Sequence, residues 1–342
     1  MPAASYTFSH NKSEEGVQVR GVISAWGKIL RGYNPCLSIE VTRECPLSCP
    51  GCYAYSPDHL GGDVVLRDVN DYRDDNLVQG VLALIRKHKP LHVSLIGGEP
   101  LVRYRELNRL LPLMSEMGVH TQVVTSAVRE IPKEWAGIPR LQISVSIDGL
   151  QEEHDQRRAP ATYSRILKNI SGHSITVHCT LTRQQLQRQG YIEEFVATWS
   201  ALETTKRIWI SLYTPQIGEA SPERLTGEDR ITAVTELKRL NKKFPKLEVP
   251  DALLDVYARP PDSPSECIFA NTTTCISADF QRRITPCQFG GKPDCSNCGC
   301  MASAGMAAVG RHRLPGGIPV GTLFNLSSRI GSIMRKARNG TS

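Results

Sequence analysis

The stretch Cys45-Pro-Leu-Ser-Cys49-Pro-Gly-Cys52 decides the fold of this chain, because it places three thiols on a short loop directly after the strand-like residues 36–42. Two prolines and a glycine keep this loop out of helix and strand. Thiolates are soft ligands that select iron–sulfur clusters, zinc or Cu(I). A [4Fe–4S] cluster held entirely by protein uses four cysteines, so three cysteines leave one iron open to another ligand. The loop therefore predicts a metal centre with a vacant position, although a zinc knuckle or free core thiols would also fit these residues.

A second motif, Gly97-Gly98-Glu99-Pro100, follows the strand-like residues 92–96. Alone it would indicate only a turn before a helix. The ordered pair, each motif at the end of its own strand, resembles the radical S-adenosylmethionine (radical SAM) superfamily. This resemblance implies that the three cysteines of the loop ligate a [4Fe–4S] cluster. It also implies that the Gly-Gly-Glu-Pro turn holds the methionyl amino group of S-adenosylmethionine.

Composition describes an ordinary globular protein of 342 residues, with 40% hydrophobic and 22% charged residues. No run approaches the roughly 18 apolar residues of a membrane span, and residues 1–10 lack the basic and apolar regions of a signal peptide. The eleven cysteines fall largely into two closely spaced groups, which favours metal ligation in a reducing compartment and a cytoplasmic location. The net charge of +7 comes from scattered basic residues, so we interpret it as a solvated surface and expect no nucleic-acid partner.

Strand-like and helix-like segments alternate along the chain, which predicts a parallel sheet. The predicted strands cover 36–43, 91–96, 119–125, 141–147, 174–181 and 207–213, and the predicted helices cover 75–88, 102–117, 161–171, 184–203 and 227–243. The fold class is α/β, a partial (β/α)6 TIM-like barrel as in radical SAM enzymes, with its chemistry at the carboxyl ends of the strands. We divide the chain into a lead-in (1–34), the barrel (35–259) and a small cysteine-rich module (260–342).

The resemblance extends to the other strand ends. Asp148-Gly149 followed by His154-Asp155-Gln-Arg157-Arg158 is similar to a strand-four pattern of radical SAM enzymes that carry extra clusters, in which the arginine contacts the cofactor carboxylate. A structural salt bridge is the alternative for Arg158, and packing of the barrel interior is the alternative for the two serines of strand four. The further residues expected to contact the cofactor are Thr125, Ser126, Ser144, Ser146, Arg158 and the backbone of Leu212.

A second cysteine group lies beyond the prolines at 260, 261 and 264, and comprises Cys267, Cys275, Cys287, Cys295, Cys298 and Cys300. A short β-hairpin between Cys275 and Cys287 resembles the auxiliary-cluster modules called SPASM and twitch, which hold additional [4Fe–4S] clusters. Its turn carries Asp279-Phe280 in place of the Asp-Gly usual in the SPASM pattern. We expect one auxiliary [4Fe–4S] cluster, drawn from Cys267 or Cys275 and the other four, with a zinc ribbon as the alternative.

Cys179 lies outside both groups on the fifth strand and is the candidate hydrogen-atom donor, with burial in the core as its alternative. The reaction expected from the resemblance is reductive cleavage of S-adenosylmethionine, with flavodoxin or ferredoxin as the reductant. The substrate class stays open among small molecule, lipid and peptide. A loose likeness to the hopanoid-synthesis adenosyl transferase subgroup favours a lipid slightly. The lack of a peptide-recognition domain before the barrel disfavours a ribosomal peptide.

Residues 321–338 carry an apolar stripe and a basic end, which predicts an amphipathic helix. Such a helix either docks on the barrel or contacts a membrane surface, and docking is the expectation. A rival function for the whole chain is an iron–sulfur electron carrier or a zinc-bound binding module. Neither of these needs the methionine-binding turn at residues 97–100.

Overall fold

The computed structural model describes residues 21, 23–313, 317 and 319–339. Its central sheet has seven strands in the order β6-β5-β4-β3-β2-β1-β7, and every neighbouring pair is parallel. The strands are β1 Cys36–Glu40, β2 His92–Ile96, β3 His120–Thr125, β4 Leu141–Ser146, β5 Ile175–Leu181, β6 Thr205–Leu212 and β7 Thr273–Ile276. Consecutive strands that lie side by side, joined by helical crossovers, give the predicted TIM-like α/β architecture.

The helices follow the strands as the periodicity predicts. They are α1 (23–30), α2 Asp74–His88, α3 Tyr104–Glu116, α4 Gln151–Arg158, α5 Tyr163–Asn169, α6 Arg183–Leu186, α7 Tyr191–Ser200, α8 Gly227–Asn241, α9 Asp251–Ala258, α10 Ile268–Thr272, α11 Met301–Arg311 and α12 Val320–Asn339. Thr226 and Asp229 form a capping box at the start of α8. The six predicted strands and the C-terminal helix are therefore confirmed.

Four features differ from the expectation. The helix predicted over 184–203 is two helices, because Gly190 adopts a left-handed conformation (φ 76°) between α6 and α7. The second part of the strand-four motif lies in a helix that was not predicted, α4. Part of the lead-in, which shows little apolar periodicity, forms α1, while residues 1–20 lie outside the described residues. A seventh strand, β7, comes from the cysteine-rich region and pairs with β1. The division at residues 259 and 260 stays a prediction.

The sheet separates an apolar face from a polar one, because successive side chains on a strand point to opposite sides. On β1, Leu37 and Ile39 belong to the large hydrophobic core beneath the helices. Ser38 and Glu40 face the other side and are buried there. The side of β1 that faces away from the large hydrophobic core is therefore polar.

A smaller hydrophobic cluster joins α1, α10 and α12 and contains Ala25, Ile29, Ile268, Val320 and Phe324. The C-terminal helix thus docks on the protein, as expected, through one edge. Four of its other apolar side chains, Leu326, Ile330, Ile333 and Met334, are exposed. Within the described part of the chain, no helix is both long enough and apolar enough to cross a bilayer.

Candidate active site

The two sequence motifs meet through backbone hydrogen bonds at the ends of β1 and β2. Gly98 N donates to Thr42 O at 2.9 Å, and Glu99 N donates to Glu44 O at 2.8 Å. A Cβ atom on Gly98 would lie 2.1 Å from Glu44 O, so only glycine permits this approach. The cysteine loop and the Gly-Gly-Glu-Pro turn are therefore one structural unit.

The three thiols of the loop are partly buried and lie close enough to influence one another. Leu47 N donates to Cys45 Sγ at 3.4 Å. Burial is the main reason that the pKa of Cys45 is raised to about 11; the hydrogen bond from Leu47 N acts to lower it, and the charges of Glu99, Cys49 and Cys52 add to the rise. Among the described residues, no three His, Cys, Asp or Glu side chains are arranged to hold a single metal ion. Ligation of a [4Fe–4S] cluster by this loop stays a prediction that fits the chemistry of its donors.

Glu99 is 2% exposed and brings the ends of β2 and β3 together. Its Oε1 accepts hydrogen bonds from Leu101 N (2.9 Å) and Thr125 Oγ1 (2.5 Å). Its Oε2 accepts from Ser126 N (2.8 Å) and Ser126 Oγ (2.5 Å). A carboxylate can accept about four hydrogen bonds, so donors of the protein itself already fill the acceptor positions of Glu99. An ammonium group of S-adenosylmethionine would have to share or replace one of these donors.

The strand-four motif owes its shape to His154 and Asp155, two residues of the motif that are not among the predicted site residues. His154 Nδ1 accepts a hydrogen bond from Asp148 N at 3.0 Å, and its other ring nitrogen lies 2.8 Å from Ala161 O. Such a ring accepts at one nitrogen and donates at the other, as neutral imidazole does. Asp155 accepts from Tyr163 N at 2.6 Å. These bonds fix α4 and α5, and so the direction of the two arginines at the end of α4.

Arg157 and Arg158 both bind Asp148. The distances to Asp148 Oδ2 are 3.0 Å from Arg157 Nε and 2.7 Å from Arg158 Nε. Burial would raise the pKa of Asp148, but the two guanidinium groups hold it at about 2. Arg157 also pairs with Glu223, in the loop after β6. The salt-bridge alternative for Arg158 therefore exists in this structure.

Arg158 nevertheless lies beside the cysteine loop. Burial acts to lower the pKa of Arg158, because it disfavours the charged form. The negative charge of Asp148, and to a smaller extent that of Cys49, outweighs this effect, so the pKa of Arg158 is raised. The same guanidinium acts to lower the pKa of Cys49, against the effect of burial. Arg158 Nε donates to Asp148, so the predicted contact between Arg158 and a cofactor carboxylate would use the other guanidinium nitrogens. That contact stays a prediction.

The remaining candidate residues lie on three strands. Ser144 is buried and Ser146 half-buried, on the same face of β4, next to Thr176 and His178 of β5. Leu212 N, at the end of β6, donates to Gly299 O at 2.9 Å, so this backbone donor already binds the cysteine-rich region. The predicted contacts of these residues with the cofactor stay predictions.

Cys179 is fully buried in the hydrophobic core. Burial raises its pKa strongly, and the neighbouring tyrosines, Tyr163 and Tyr191, belong to the helices that cover the sheet. His178 and Thr180, its neighbours along β5, point to the opposite side and are less buried. This placement favours the packing alternative over a role as hydrogen-atom donor.

Five of the six C-terminal cysteines line one cavity together with Phe269, Phe289 and several prolines; they are Cys267, Cys287, Cys295, Cys298 and Cys300. Cys275 is instead on β7, in register with Ser38 of β1. The predicted hairpin is present as an antiparallel bridge between Ile276 and Arg283. At its turn, Phe280 adopts a positive φ of 57° and stacks on Tyr72 at 4.9 Å.

A buried polar group that belongs to none of the sequence motifs connects the two cysteine regions. Glu40 Oε1 lies 2.8 Å from His59 Nε2, and Glu40 Oε2 accepts from Ser277 Oγ at 2.9 Å. His59 Nδ1 lies 3.0 Å from Phe289 O, and the Phe289 ring packs edge-on against Tyr53, which follows Cys52. A single carboxylate in an otherwise uncharged strand is the signal that could have indicated Glu40.

The fold and the site agree with the family comparison. Residues 39–172 match the Radical SAM superfamily, a range that includes the cysteine loop, the Gly-Gly-Glu-Pro turn and the strand-four motif. This match covers less than half of the chain, and it supports the interpretation of these residues as a radical SAM domain.

The particular relatives include two enzymes named PqqA peptide cyclase. The one from Bradyrhizobium diazoefficiens is 32% identical over 117 residues, which are 33% of this chain and 28% of that protein. The one from Rhodopseudomonas palustris is 28% identical over 162 residues, which are 43% of this chain and 40% of that protein. The match thus spans well under half of either relative.

Among solved structures, SuiB of Streptococcus suis bound to precursor peptide SuiA is similar, with a TM-score of 0.56 and 16% identity. The similarity covers 86% of this chain and 70% of SuiB. A structure of SuiB bound to S-adenosylmethionine gives a TM-score of 0.51 at 17% identity, over 78% of this chain and 62% of that one. At such identities the likeness concerns the fold alone.

Proposed function

We propose that the chain reductively cleaves S-adenosylmethionine at a [4Fe–4S] cluster and uses the resulting radical to modify a peptide. The observation that carries this proposal is the hydrogen bond from Glu99 N, in the Gly-Gly-Glu-Pro turn, to the carbonyl oxygen of Glu44, the residue immediately before the cysteine loop. An electron carrier or a zinc module has no need for that turn, so its presence here favours the radical function over the rival ones.

In this proposal, Cys45, Cys49 and Cys52 hold three irons of the cluster. The reduced cluster, when bound, supplies the electron that cleaves S-adenosylmethionine to methionine and a 5′-deoxyadenosyl radical. The chain's own residues bind and orient the cofactor. Glu99 and the groups it fixes, Thr125 and Ser126, stand at the ends of β2 and β3, where the amino group would bind. Arg158, a planar fork beside the loop, suits the carboxylate.

An auxiliary [4Fe–4S] cluster is the second part of the proposal. Its support is the shared cavity of Cys267, Cys287, Cys295, Cys298 and Cys300. Four of these suffice for a fully ligated cluster. This geometry favours Cys267 over Cys275 as the N-terminal ligand. Arg230 supports the site, because it donates to Asn297 O (2.6 Å) and Cys298 O (3.1 Å) and so holds the loop in place.

A peptide is the proposed substrate, because the curated relatives are named for a peptide and SuiB was solved with one. A small molecule or a lipid has no comparable support. We further propose flavodoxin or ferredoxin as the reductant and the cytoplasm as the location, since oxidised thiols could not ligate the clusters.

The proposed reaction is tested with anaerobically purified protein that has been reconstituted with iron and sulfide. Reduction by dithionite in the presence of S-adenosylmethionine should release 5′-deoxyadenosine and methionine, detected by mass spectrometry. Cys49→Ser should release neither and should hold less iron. The matched control, Cys179→Ala, changes a thiol outside both cysteine groups and should keep its iron. A wild-type protein whose cluster is reduced reversibly without forming 5′-deoxyadenosine would favour the electron-carrier function instead.

A further inference from the structure

An open groove of about 740 Å³ lies beside the candidate cofactor site and is lined by three cations. Its polar lining consists of Arg129, Thr162, Ser164, Arg165, Lys168 and Asn169. One wall of the groove is formed by residues that come after β3 in the chain. In this wall, Val128 N donates to Ser126 Oγ at 3.4 Å. The other wall includes Pro160, two residues after Arg158. Both walls therefore continue directly from residues proposed to bind the cofactor.

Three side chains of this groove, Arg129, Arg165 and Asn169, make contacts with the protein that hold them in place. The Arg129 guanidinium stacks over the Tyr104 ring, 4.3 Å from its centroid. Arg165 Nη1 donates to Pro160 O at 3.1 Å. Asn169 Nδ2 donates to Ala127 O at 2.9 Å. Two of the three cations, Arg129 and Arg165, are thus held by contacts with the protein, which lowers the ordering cost of binding.

The three cations are unneutralised. Within the described part of the chain, Arg129, Arg165 and Lys168 make no ion pair, unlike Arg157 and Arg158 close by. Glu130 follows Arg129 in sequence but does not line the groove. Positive charge without an ion-pair partner favours an anionic ligand, and arginine forks suit carboxylates in particular.

We propose that this groove binds an acidic segment of the peptide substrate, with carboxylates paired to Arg129, Arg165 and Lys168. The proposal rests on the proposed peptide-modifying function and names the chemistry of its substrate. A nucleic acid fits less well. Unpaired bases are bound largely by stacking on aromatic rings, and among the described residues that line the groove none is aromatic. A segment held here would bring a neighbouring residue of the peptide towards the ends of β3 and β4.

The test uses the full chain and a fluorescein-labelled peptide of alternating glutamate and glycine, measured by fluorescence anisotropy at low ionic strength. The wild type should bind this peptide, bind a lysine–glycine peptide far more weakly, and lose affinity as salt is added. The triple variant Arg129→Glu/Arg165→Glu/Lys168→Glu should bind the glutamate peptide at least about tenfold more weakly.

A control variant with the same net charge separates the groove from general attraction to a basic protein. Lys87→Glu/Lys206→Glu/Lys242→Glu changes three exposed lysines near the amino ends of the strands, away from the groove. This variant should bind the glutamate peptide nearly as the wild type does, and thermal melting should show that both triple variants fold.

Three outcomes would overturn the proposal: no binding by the wild type, equal weakening in both triple variants, or more effective competition by a single-stranded oligonucleotide than by unlabelled glutamate peptide. Formation of 5′-deoxyadenosine by the wild type is measured in parallel. If 5′-deoxyadenosine is not formed, the proposed reaction is wrong but the proposed peptide-binding role of the groove is not contradicted. If the cofactor is cleaved but the peptide does not bind, only the role of the groove is wrong.

Discussion

Arg157 Nη2 donates a hydrogen bond of 2.9 Å to the carbonyl oxygen of Pro50. Pro50 lies between the second and third cysteines of the N-terminal loop, so the strand-four motif directly supports the proposed cluster site. Because Arg157 also binds Asp148 and Glu223, one guanidinium joins the cysteine loop, the end of β4 and the loop after β6. This connection has consequences for stability and for cluster retention.

Replacing Arg157 with glutamine should destabilise the protein by about 2–4 kcal/mol, because it leaves Glu223 as a buried carboxylate without its cation. Urea unfolding of the metal-free, reduced chain measures this loss. Arg188→Gln is the control: it breaks an exposed pair with Glu194 and should cost less than about 1 kcal/mol. The reconstituted Arg157→Gln protein should also lose iron to a chelator faster than the wild type. Equal stability of the two variants would mean that the Arg157 connections contribute nothing.

Replacing Glu99 with alanine should abolish S-adenosylmethionine binding while the iron content stays at the wild-type level. The reason is that Glu99 orients Thr125 and Ser126 but belongs to neither cysteine group. Equilibrium dialysis with labelled S-adenosylmethionine and an iron assay measure the two effects separately. Glu130→Ala, which removes an exposed carboxylate just beyond β3, should change neither. Unchanged cofactor affinity in Glu99→Ala would remove the role assigned to the turn.

Iron content distinguishes one cluster from two. The reconstituted wild type should hold about eight irons, as two [4Fe–4S] clusters, and the variant lacking all three loop cysteines should hold about four. Cys298→Ser should lose iron from the auxiliary site, whereas Cys275→Ser should retain it, because Cys275 does not line the shared cavity. Four irons together with one zinc in the wild type would contradict the auxiliary cluster and favour a zinc ribbon.

The Asp148 carboxylate should make stability depend on pH. Its pKa in the folded protein is about 2, below the ordinary 3.8, so its ionised form is stabilised by folding. The contribution is present above about pH 4 and is lost as the pH falls towards 2; it amounts to about 2 kcal/mol. Urea unfolding of the metal-free chain from pH 5 to 2 should show this loss. In Asp148→Asn, the free energy of unfolding should change less with pH over that range. An unchanged pH dependence would contradict the pairing of Asp148 with Arg157 and Arg158.

The C-terminal helix α12 should contribute to stability through its docked edge only. Phe324 is 8% exposed, so Phe324→Ala should cost about 2–4 kcal/mol, while Ile333→Ala, at a position 68% exposed, should cost less than about 0.5 kcal/mol. Vesicle flotation tests the exposed stripe. With docking as the expectation, the protein should not float with anionic vesicles at low salt. Flotation that is lost in Ile333→Asp would instead support membrane contact.

The sequence alone determined the strands, most of the helices and the order of the motifs. Hydrophobic periodicity is a local property, and the apolar faces of residues 36–42 and 92–96 needed no knowledge of the rest of the chain. Resemblance then identified the cysteine loop and the Gly-Gly-Glu-Pro turn as parts of one site. Their backbone contact, between residues 98–99 and 42–44, is the consequence of adjacent parallel strands that end at the same level.

Only the tertiary structure decided which distant groups meet. Cys267 shares a cavity with four later cysteines, whereas Cys275 lies on a strand. Glu223 pairs with Arg157, and Glu40 joins His59 to Ser277. All of these contacts are between segments far apart in sequence. The pairing of β7 with β1 belongs to the same group. Residue spacing determines which side chains are neighbours along a helix or strand. Contacts between elements follow from how the whole core packs, which no local sequence pattern predicts.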